Sequence, residues 1–302
     1  MNNLLLDLQS VIKEYQSARA VDQVSFSLST GCVTGLLGPN GAGKTSLIRI
    51  ITGITRPDSG QVLLSGVPVQ DITDPSIGYM PEERGLYKKM KVGEQLVYLC
   101  RLRGLSAKDA EREVISWMKK FEITSWWNKR IDELSKGMSQ KVQFIATVAH
   151  RPNLIILDEP FSGLDPINTQ MIKQEIAHLK NQGVAILFST HRMEQVEEMC
   201  DEIVLINKGK IILQGEVNQL KKAFRESKYD LKTESSLDPL IIDKYKLETY
   251  APQSYYFKSE GLPATQLLME VIQSGVEISE FKDILPTFNE IFIHLVNDAN
   301  HE

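Results

Sequence analysis

The chain contains no apolar run near the ~20 residues that a membrane-spanning helix needs. Its beginning, "MNNLLLDLQS", has neither a basic n-region nor a long apolar core, so no secretion signal is expected there. Cysteine is scarce. Cys32, Cys100 and Cys200 are far apart and odd in number, which speaks against a zinc site or a disulfide framework and fits a reducing cytoplasm. An excess of basic charge is also missing. The net charge is −5, and residues 217–302, with 9 Lys/Arg against 14 Asp/Glu, account for all of it, while residues 1–216 balance 25 against 25. With no basic domain, nucleic acid is not expected as the main partner. The local basic run at 84–103 (Arg84, Lys88, Lys89, Lys91, Arg101 and Arg103 against Glu94) reads first as a solvated face and second as contact with a membrane-side surface.

What remains is an ordinary globular composition, 42% hydrophobic and 24% charged, in 302 residues, enough for one large domain or a domain with an appendage. "CVTGLL" (32–37) reads as a short buried strand. "GPNGAGKTS" (38–46) follows, and Leu47, Ile50, Ile51 and Ile54 then recur at helical spacing. A glycine-rich turn between a strand and a helix, with Gly38, Gly43, Lys44 and Thr45 in the pattern G-x-x-x-x-G-K-[ST], is a phosphate-binding loop. Gly38, Gly41 and Gly43 permit positive φ and turn successive N–H groups inward, where they and the helix start favour a polyanion. Pro39, Asn40, Ala42 and Ser46 complete the candidate nucleotide-binding stretch. Lys44 can reach the β- and γ-phosphates, and the Thr45 hydroxyl can ligate Mg²⁺.

"LIILDE" (154–159) reads as a central parallel strand that ends in two carboxylates, placed where α/β sheets bind ligands. Asp158 can hold Mg²⁺ through water, and Glu159 can accept a proton from an attacking water. "PFSGLDP" (160–166) leads into a helix. "VAILFSTH" (184–191) is another buried strand, and its terminal His191 suits contact with a γ-phosphate. His150, His178, His294 and His301 have no such context.

Gly38–Thr45, Asp158–Glu159, Ser162–Asp165 and His191 stand in the order and spacing of an ATP-binding-cassette (ABC) ATPase, and the chain resembles that family. "LSKGM" (134–138) then occupies the place of the family's LSGGQ, with Lys136 in place of the first glycine and Met138 in place of the glutamine. In isolation the same stretch reads as an N-capped helix start with Ser135 as cap. The resemblance implies a head-to-tail homodimer, in which Ser135, Gly137 and Met138 of one copy cap the γ-phosphate held by the other, and Asp165 lies in the D-loop. It also implies that Tyr15 stacks on adenine. Glu82, after Pro81 in "IGYMPEERGLY" (77–87), stands where the family has glutamine, and as a carboxylate it can approach Mg²⁺ or the attacking water. "PEERGLY", "ELSKGM" and "LPTFNEIFIHLV" (285–296) are similar to cytoplasmic ATP-binding subunits of bacterial exporters of the sodium-efflux and peptide-antibiotic-resistance type, which carry a short C-terminal domain.

The expected fold is α/β: a P-loop NTPase of ABC ATPase type with antiparallel β and helical subdomains, plus a small α+β C-terminal domain. The expected division is 1–216 for the nucleotide-binding domain, with its helical subdomain at about 88–151, and 217–302 for the accessory domain. Trp117, Trp126 and Trp127 are read first as packing residues. "EIVLINKGKIILQGE" (202–216) predicts a hairpin that turns at Lys208–Gly209, and 217–226 a closing helix. In the tail, "YDLKTE", "YKLETYA" and "SYYFKSE" alternate as strands, while 264–275 and 287–297 read as helices. The implied protein is the ATP- and Mg²⁺-dependent ATPase subunit of an exporter, cytoplasmic, peripheral to the membrane through a separate permease. The rival reading is a non-transport cassette ATPase acting on DNA or ribosomes, or a nucleotide-dependent regulator. No coiled-coil insertion and no second phosphate loop support the DNA or ribosome branch, and Glu159 speaks against a regulator without turnover.

Overall fold

The computed structural model describes residues 4–301 except 17, 73–75, 83–84 and 260–262, with backbone alone for 296–301. Arg84 of the basic run and the middle of "PEERGLY" therefore lie outside the described residues. The chain divides into two compact units, one reaching Val217 and one spanning Asn218–Asp298. Among the described residues no helix is long and apolar enough to cross a membrane.

The first unit runs β1 (Leu4–Tyr15), β2 (Ala18–Ser29), β3 (Val33–Leu37), α1 (Lys44–Ile51), β4 (Ser59–Leu64), β5 (Val67–Pro68), β6 (Ile77–Met80), α2 (Val92–Leu102), α3 (Ala107–Lys120), α4 (Lys136–Val148), β7 (Leu154–Asp158), α5 (Pro166–Asn181), β8 (Ala185–Ser189), α6 (Met193–Met199), β9 (Glu202–Asn207) and β10 (Lys210–Glu216). One sheet is antiparallel, in the order β2-β1-β4-β5. The other has the order β10-β9-β3-β8-β7-β6, parallel except for the β9–β10 hairpin. Every residue of β3, β7 and β8 is buried, as befits parallel strands covered on both faces. Leu6, Val24, Leu36, Ile48, Ile156 and Leu187 share one apolar core that spans both sheets and α1. Turn residues Lys208 and Gly209 have φ of 47° and 82°, which gives the β9–β10 hairpin its tight turn.

The stripe expected for α1 is off at its end. Ile54 lies past the helix and is 64% exposed, whereas Ile48 is fully buried. The helix stops early because the Thr52 hydroxyl donates to the Ile48 carbonyl and Gly53 turns with φ 72°.

Three helices, α2 to α4, form the helical part. Ser106 caps α3 by accepting from the Asp109 N–H, and Ala110, Val114 and Met118 form the buried face of that helix. Trp117, Phe121 and Phe144 pack their rings together. A Cβ on Gly93 of α2 would lie 2.3 Å from the Trp127 ring, so two of the three tryptophans serve packing.

Helix α7 (Val217–Ala223) crosses the boundary between the units. The second unit then runs β11 (Lys228–Thr233), α8 (Pro239–Tyr245), β12 (Glu248–Ala251), β13 (Ser254–Lys258), α9 (Ala264–Gln273), β14 (Ile278–Ile284) and α10 (Phe288–His301). Its antiparallel sheet has the order β12-β13-β11-β14. This βαββαβ order, in which the last strand pairs with the first, is the split, ferredoxin-like arrangement. Leu231, Tyr255 and Phe257 from the sheet, Ile241 and Tyr245 from α8, and Leu267 and Val271 from α9 make an independent core. Helix α8 and strand β14 depart from the sequence reading. "YKLETYA" begins as the end of a helix, Lys246 turns left-handed at φ 50°, and only Glu248–Ala251 is strand.

Candidate active site

The phosphate loop leaves a fully buried strand and enters a helix. Gly38 and Gly43 have φ of 151° and 108°, and a Cβ on them would lie 2.2 Å from the carbonyl oxygens of Ile206 and Ala20 respectively. Only glycine fits either place. The loop is also clamped. Gly209 donates its N–H to Ala42 O at 2.9 Å, and Asp22 donates its N–H to Gly209 O at 2.8 Å, so the loop, the β9–β10 turn and β2 hold one another. At the apex, Gly41 and Asn40 are exposed and a Cβ on Gly41 would meet nothing within 4 Å. The first-turn N–H groups of Lys44, Thr45 and Ser46 lie where an α-helix has no internal acceptor for them.

Lys44 Nζ folds back on its own loop, donating to Gly38 O at 2.6 Å and Pro39 O at 3.1 Å. Burial pushes its pKa down, and Asp158, Glu159 and Glu82 act against that. A cation held over bare carbonyls inside a nest of N–H groups fits a polyphosphate, which would replace those carbonyls as its partner.

The carboxylates stand at the ends of the neighbouring strands. Asp158 closes β7, buried, and its carboxyl is raised above its ordinary value by burial first and then by Glu82 and Glu159, against the lowering effects of Ser189 and Lys44. Such crowding of acids around Lys44, the chain neighbour of Thr45, suits a divalent cation. Among the described residues no three His, Cys, Asp or Glu side chains gather closely enough to hold a metal by themselves. Mg²⁺ would thus draw on Asp158, Thr45, water and phosphate oxygens, with Glu82, exposed on its loop, as a further acid nearby.

Glu159 follows Asp158 with φ 49°, a left-handed conformation rare for its type. Its N–H donates to Ser189 O at 2.9 Å. One carboxylate oxygen accepts from the His191 N–H at 2.9 Å and from His191 Nδ1 at 2.5 Å, and the other accepts from Thr190 Oγ1 at 3.2 Å. The structure thus brings Lys44, Asp158, Glu159, Glu82 and His191 into one neighbourhood at the C-terminal ends of β3, β6, β7 and β8. Thr190, fully buried, was not apparent from the sequence because it looks like one more strand residue.

The remaining residues lie elsewhere. Tyr15 ends β1, 42% exposed, with Lys13 Nζ 5.5 Å from its ring centroid. Ser135 caps α4 by accepting from the Met138 N–H at 3.3 Å, as the plain reading of that stretch has it. Gly137 and Met138 are half-buried in the first turn, where a Cβ on Gly137 would sit 3.3 Å from Gly163 O. Lys136 lays its stem against Gly163. Asp165 caps α5 by accepting from the Asn168 N–H at 2.9 Å. The sequence also left unnoticed two buried glutamines of α4, Gln140 and Gln143, which bond to backbone beside Glu159 and Glu82.

Residues 21–162 match the family described as ABC transporter, and residues 215–296 match ATP-binding protein DrrA1-3-like, C-terminal domain. The chain is 40% identical over 295 residues to the uncharacterized ABC transporter ATP-binding protein YhaQ of Bacillus subtilis, covering 97% of this chain and 98% of that one. The chain belongs to the ABC transporter ATP-binding family. It is 34% identical over 218 residues to the Nod factor export ATP-binding protein I of Rhizobium etli, covering 71% of this chain and 69% of that one. A solved structure of the ATP-binding subunit of an ABC transporter superimposes with a TM-score of 0.69 at 29% identity, covering 73% of this chain and 93% of that one. This ABC ATPase is therefore an ATP-binding subunit of a transporter, with the ATP hydrolysis characteristic of its family.

Proposed function

We propose that this ABC ATPase homodimerises head to tail around two MgATP and drives a separate integral-membrane permease in the direction of export, from the cytoplasmic face of the membrane. The observation that carries the hydrolytic part is the Glu159 carboxylate, held by Thr190 and His191 beside the buried Asp158. In this reading the N–H groups of Gly38–Ser46 and the Lys44 ammonium bind the β- and γ-phosphates. Thr45 and Asp158 hold Mg²⁺, with Glu82 near it. Bound Mg²⁺ supplies charge neutralisation on the phosphate oxygens. Glu159 takes the proton of the attacking water, and His191 orients Glu159 and the γ-phosphate. Tyr15 stacks on the base. Ser135, Gly137 and Met138 face the nucleotide of the second copy, and Asp165 lies at the same junction. Support for export comes from the relative named for Nod factor export.

The test is Glu159→Gln in the full chain. ATP binding persists, turnover falls by ~10²–10⁴-fold, and light scattering finds an ATP-bound dimer. Unchanged turnover overturns the role of Glu159. Affinity capture from solubilised membranes, with the wild-type chain as bait, should retain a polytopic membrane protein, and a chain that never does so is not a transporter subunit.

A further inference from the structure

Helix α4 begins at the Ser135 cap and sends two buried glutamines, three residues apart and so on one helical face, to the backbone beside two acids. Gln140 Nε2 donates to Pro160 O at 2.9 Å and lies 3.5 Å from Glu159 O. Gln143 Nε2 donates to Pro81 O at 2.7 Å. Both acceptors are proline carbonyls, each belonging to the residue next to an acid of the ATP site: Pro160 follows Glu159, and Pro81 precedes Glu82.

Glu159 needs such a brace. Its φ of 49° is left-handed, and the proline after it biases it toward extended backbone instead. Something must hold the turn, and around it the structure offers Glu159 N–H to Ser189 O, Ser162 N–H to Glu159 O at 3.1 Å, and the Gln140 amide. Gln140 is the one of these that reaches in from the helical part. Gln143 gives the loop carrying Glu82 an equivalent tie. An α-helix is stiff over three residues, so its two amides move together with its first turn.

We propose that Gln140 and Gln143 are positioning residues that couple the first turn of α4, with Ser135 and Gly137, to the backbone on which Glu159 and Glu82 are mounted. Displacement of that turn by a second copy's nucleotide is then transmitted to both acids through one rigid helix face. This rests on the reading of Glu159 as the base and of the α4 start as a contact in trans.

The experiment uses the full chain with Gln140→Leu, Gln140→Met and Gln143→Leu, measuring turnover, binding of a fluorescent ATP analogue and backbone hydrogen exchange. Both Gln140 substitutions remove the donor, and the second keeps the unbranched length should the first fold poorly. Each Gln140 variant lowers kcat about tenfold, equivalent to about 1.4 kcal/mol, with KM and analogue binding unchanged. Exchange speeds up at 159–164 in the Gln140 variants and, in Gln143→Leu, at the segment containing Pro81 and Glu82 instead. In a Glu159→Gln background, Gln140→Leu brings no further loss of turnover, because it acts only through Glu159. Wild-type kcat in a folded Gln140 variant, unaltered exchange at 159–164, or an equal extra loss in the Glu159→Gln background each overturns the proposal. If Glu159→Gln itself keeps full turnover, the base assignment fails, while the exchange pattern still decides whether the brace exists.

Discussion

His191 holds one oxygen of Glu159 twice, through its backbone N–H at 2.9 Å and its ring Nδ1 at 2.5 Å. With Nδ1 donating, the ring tautomer leaves Nε2 free to face outward, and the side chain is 65% exposed. One residue thus both orients an acid and presents a polar edge to whatever approaches it.

Replacing the ring separates these contacts. His191→Ala keeps the backbone donor and loses the ring. Turnover should fall by roughly 10–100-fold, less than for Glu159→Gln, because an orienting hydrogen bond is lost and the base is kept. Nucleotide affinity should change little. Steady-state assays paired with calorimetry check this, and equal turnover in wild type and His191→Ala would contradict it.

Gly137 allows a test of the contact in trans. Gly137→Ala adds only a Cβ, 3.3 Å from Gly163 O, which needs a small local shift. Gly137→Asp adds a charge as well, and at ~4 Å two like charges repel by about 4 kcal/mol at an effective dielectric of 20. The aspartate should abolish ATP-driven dimerisation and hydrolysis while leaving ATP binding by the monomer intact, and the alanine should do so only in part. Specific activity of the wild type should rise with protein concentration. A concentration-independent rate that survives Gly137→Asp would leave the segment as a helix start alone.

His150 should contribute a distinct part of the acid sensitivity, between pH 6.5 and about 4. Its ring is buried, neither nitrogen has a hydrogen bond of normal geometry, and burial, with Arg103 adding to it, pushes its pKa from an ordinary 6.5 to about 4, despite an approach to the Ile77 carbonyl. Above pH 6.5 the ring is neutral in folded and unfolded chains alike. Between 6.5 and about 4 only the unfolded chain takes up the proton, so stability falls on acidification, and below about 4 the loss is complete, on the order of 3 kcal/mol. His150→Leu should remove this part of the pH dependence without lowering stability at neutral pH. Urea unfolding of both proteins across that range measures it, and parallel curves would refute it.

A chain ending at Glu226 stops before β11 and retains every residue assigned to the ATP site. The core of the second unit is its own, drawn from Leu231 onward. The shortened protein should fold and bind ATP with little loss by calorimetry. A folded product without ATP binding would show that the tail contributes to the site.

The phosphate loop, the acidic strand end and His191 were legible because each is a short motif at the end of a hydrophobic run. Less legible were features that depend on contacts far along the chain. In "ISEFKDI", Ile278, Phe281 and Ile284 recur every third residue, so the alternation of a strand is broken, and the register with β11 shifts at Thr233 opposite Ile278. Helix α8 did carry a local signal, Asp238 as cap and Pro239 at the first position, but seven residues give too short a period to outweigh the strand-like "YKLETYA". Gln140 and Gln143 look like ordinary helix polar residues; only the proline carbonyls opposite them give them a purpose.

The place of β3 in its sheet also sets the order in which the newborn protein becomes competent. The strand ends at Leu37, yet its two neighbours, β8 and β9, begin at Ala185 and Glu202, about 150 residues later. At ~5–20 residues per second that is roughly 8–30 s of synthesis. The β1–β2 hairpin can close at once, whereas the strand bearing the phosphate loop must wait, apolar and unpaired, on the ribosome. Phosphate capture by this loop therefore has to await the synthesis of β8 and β9.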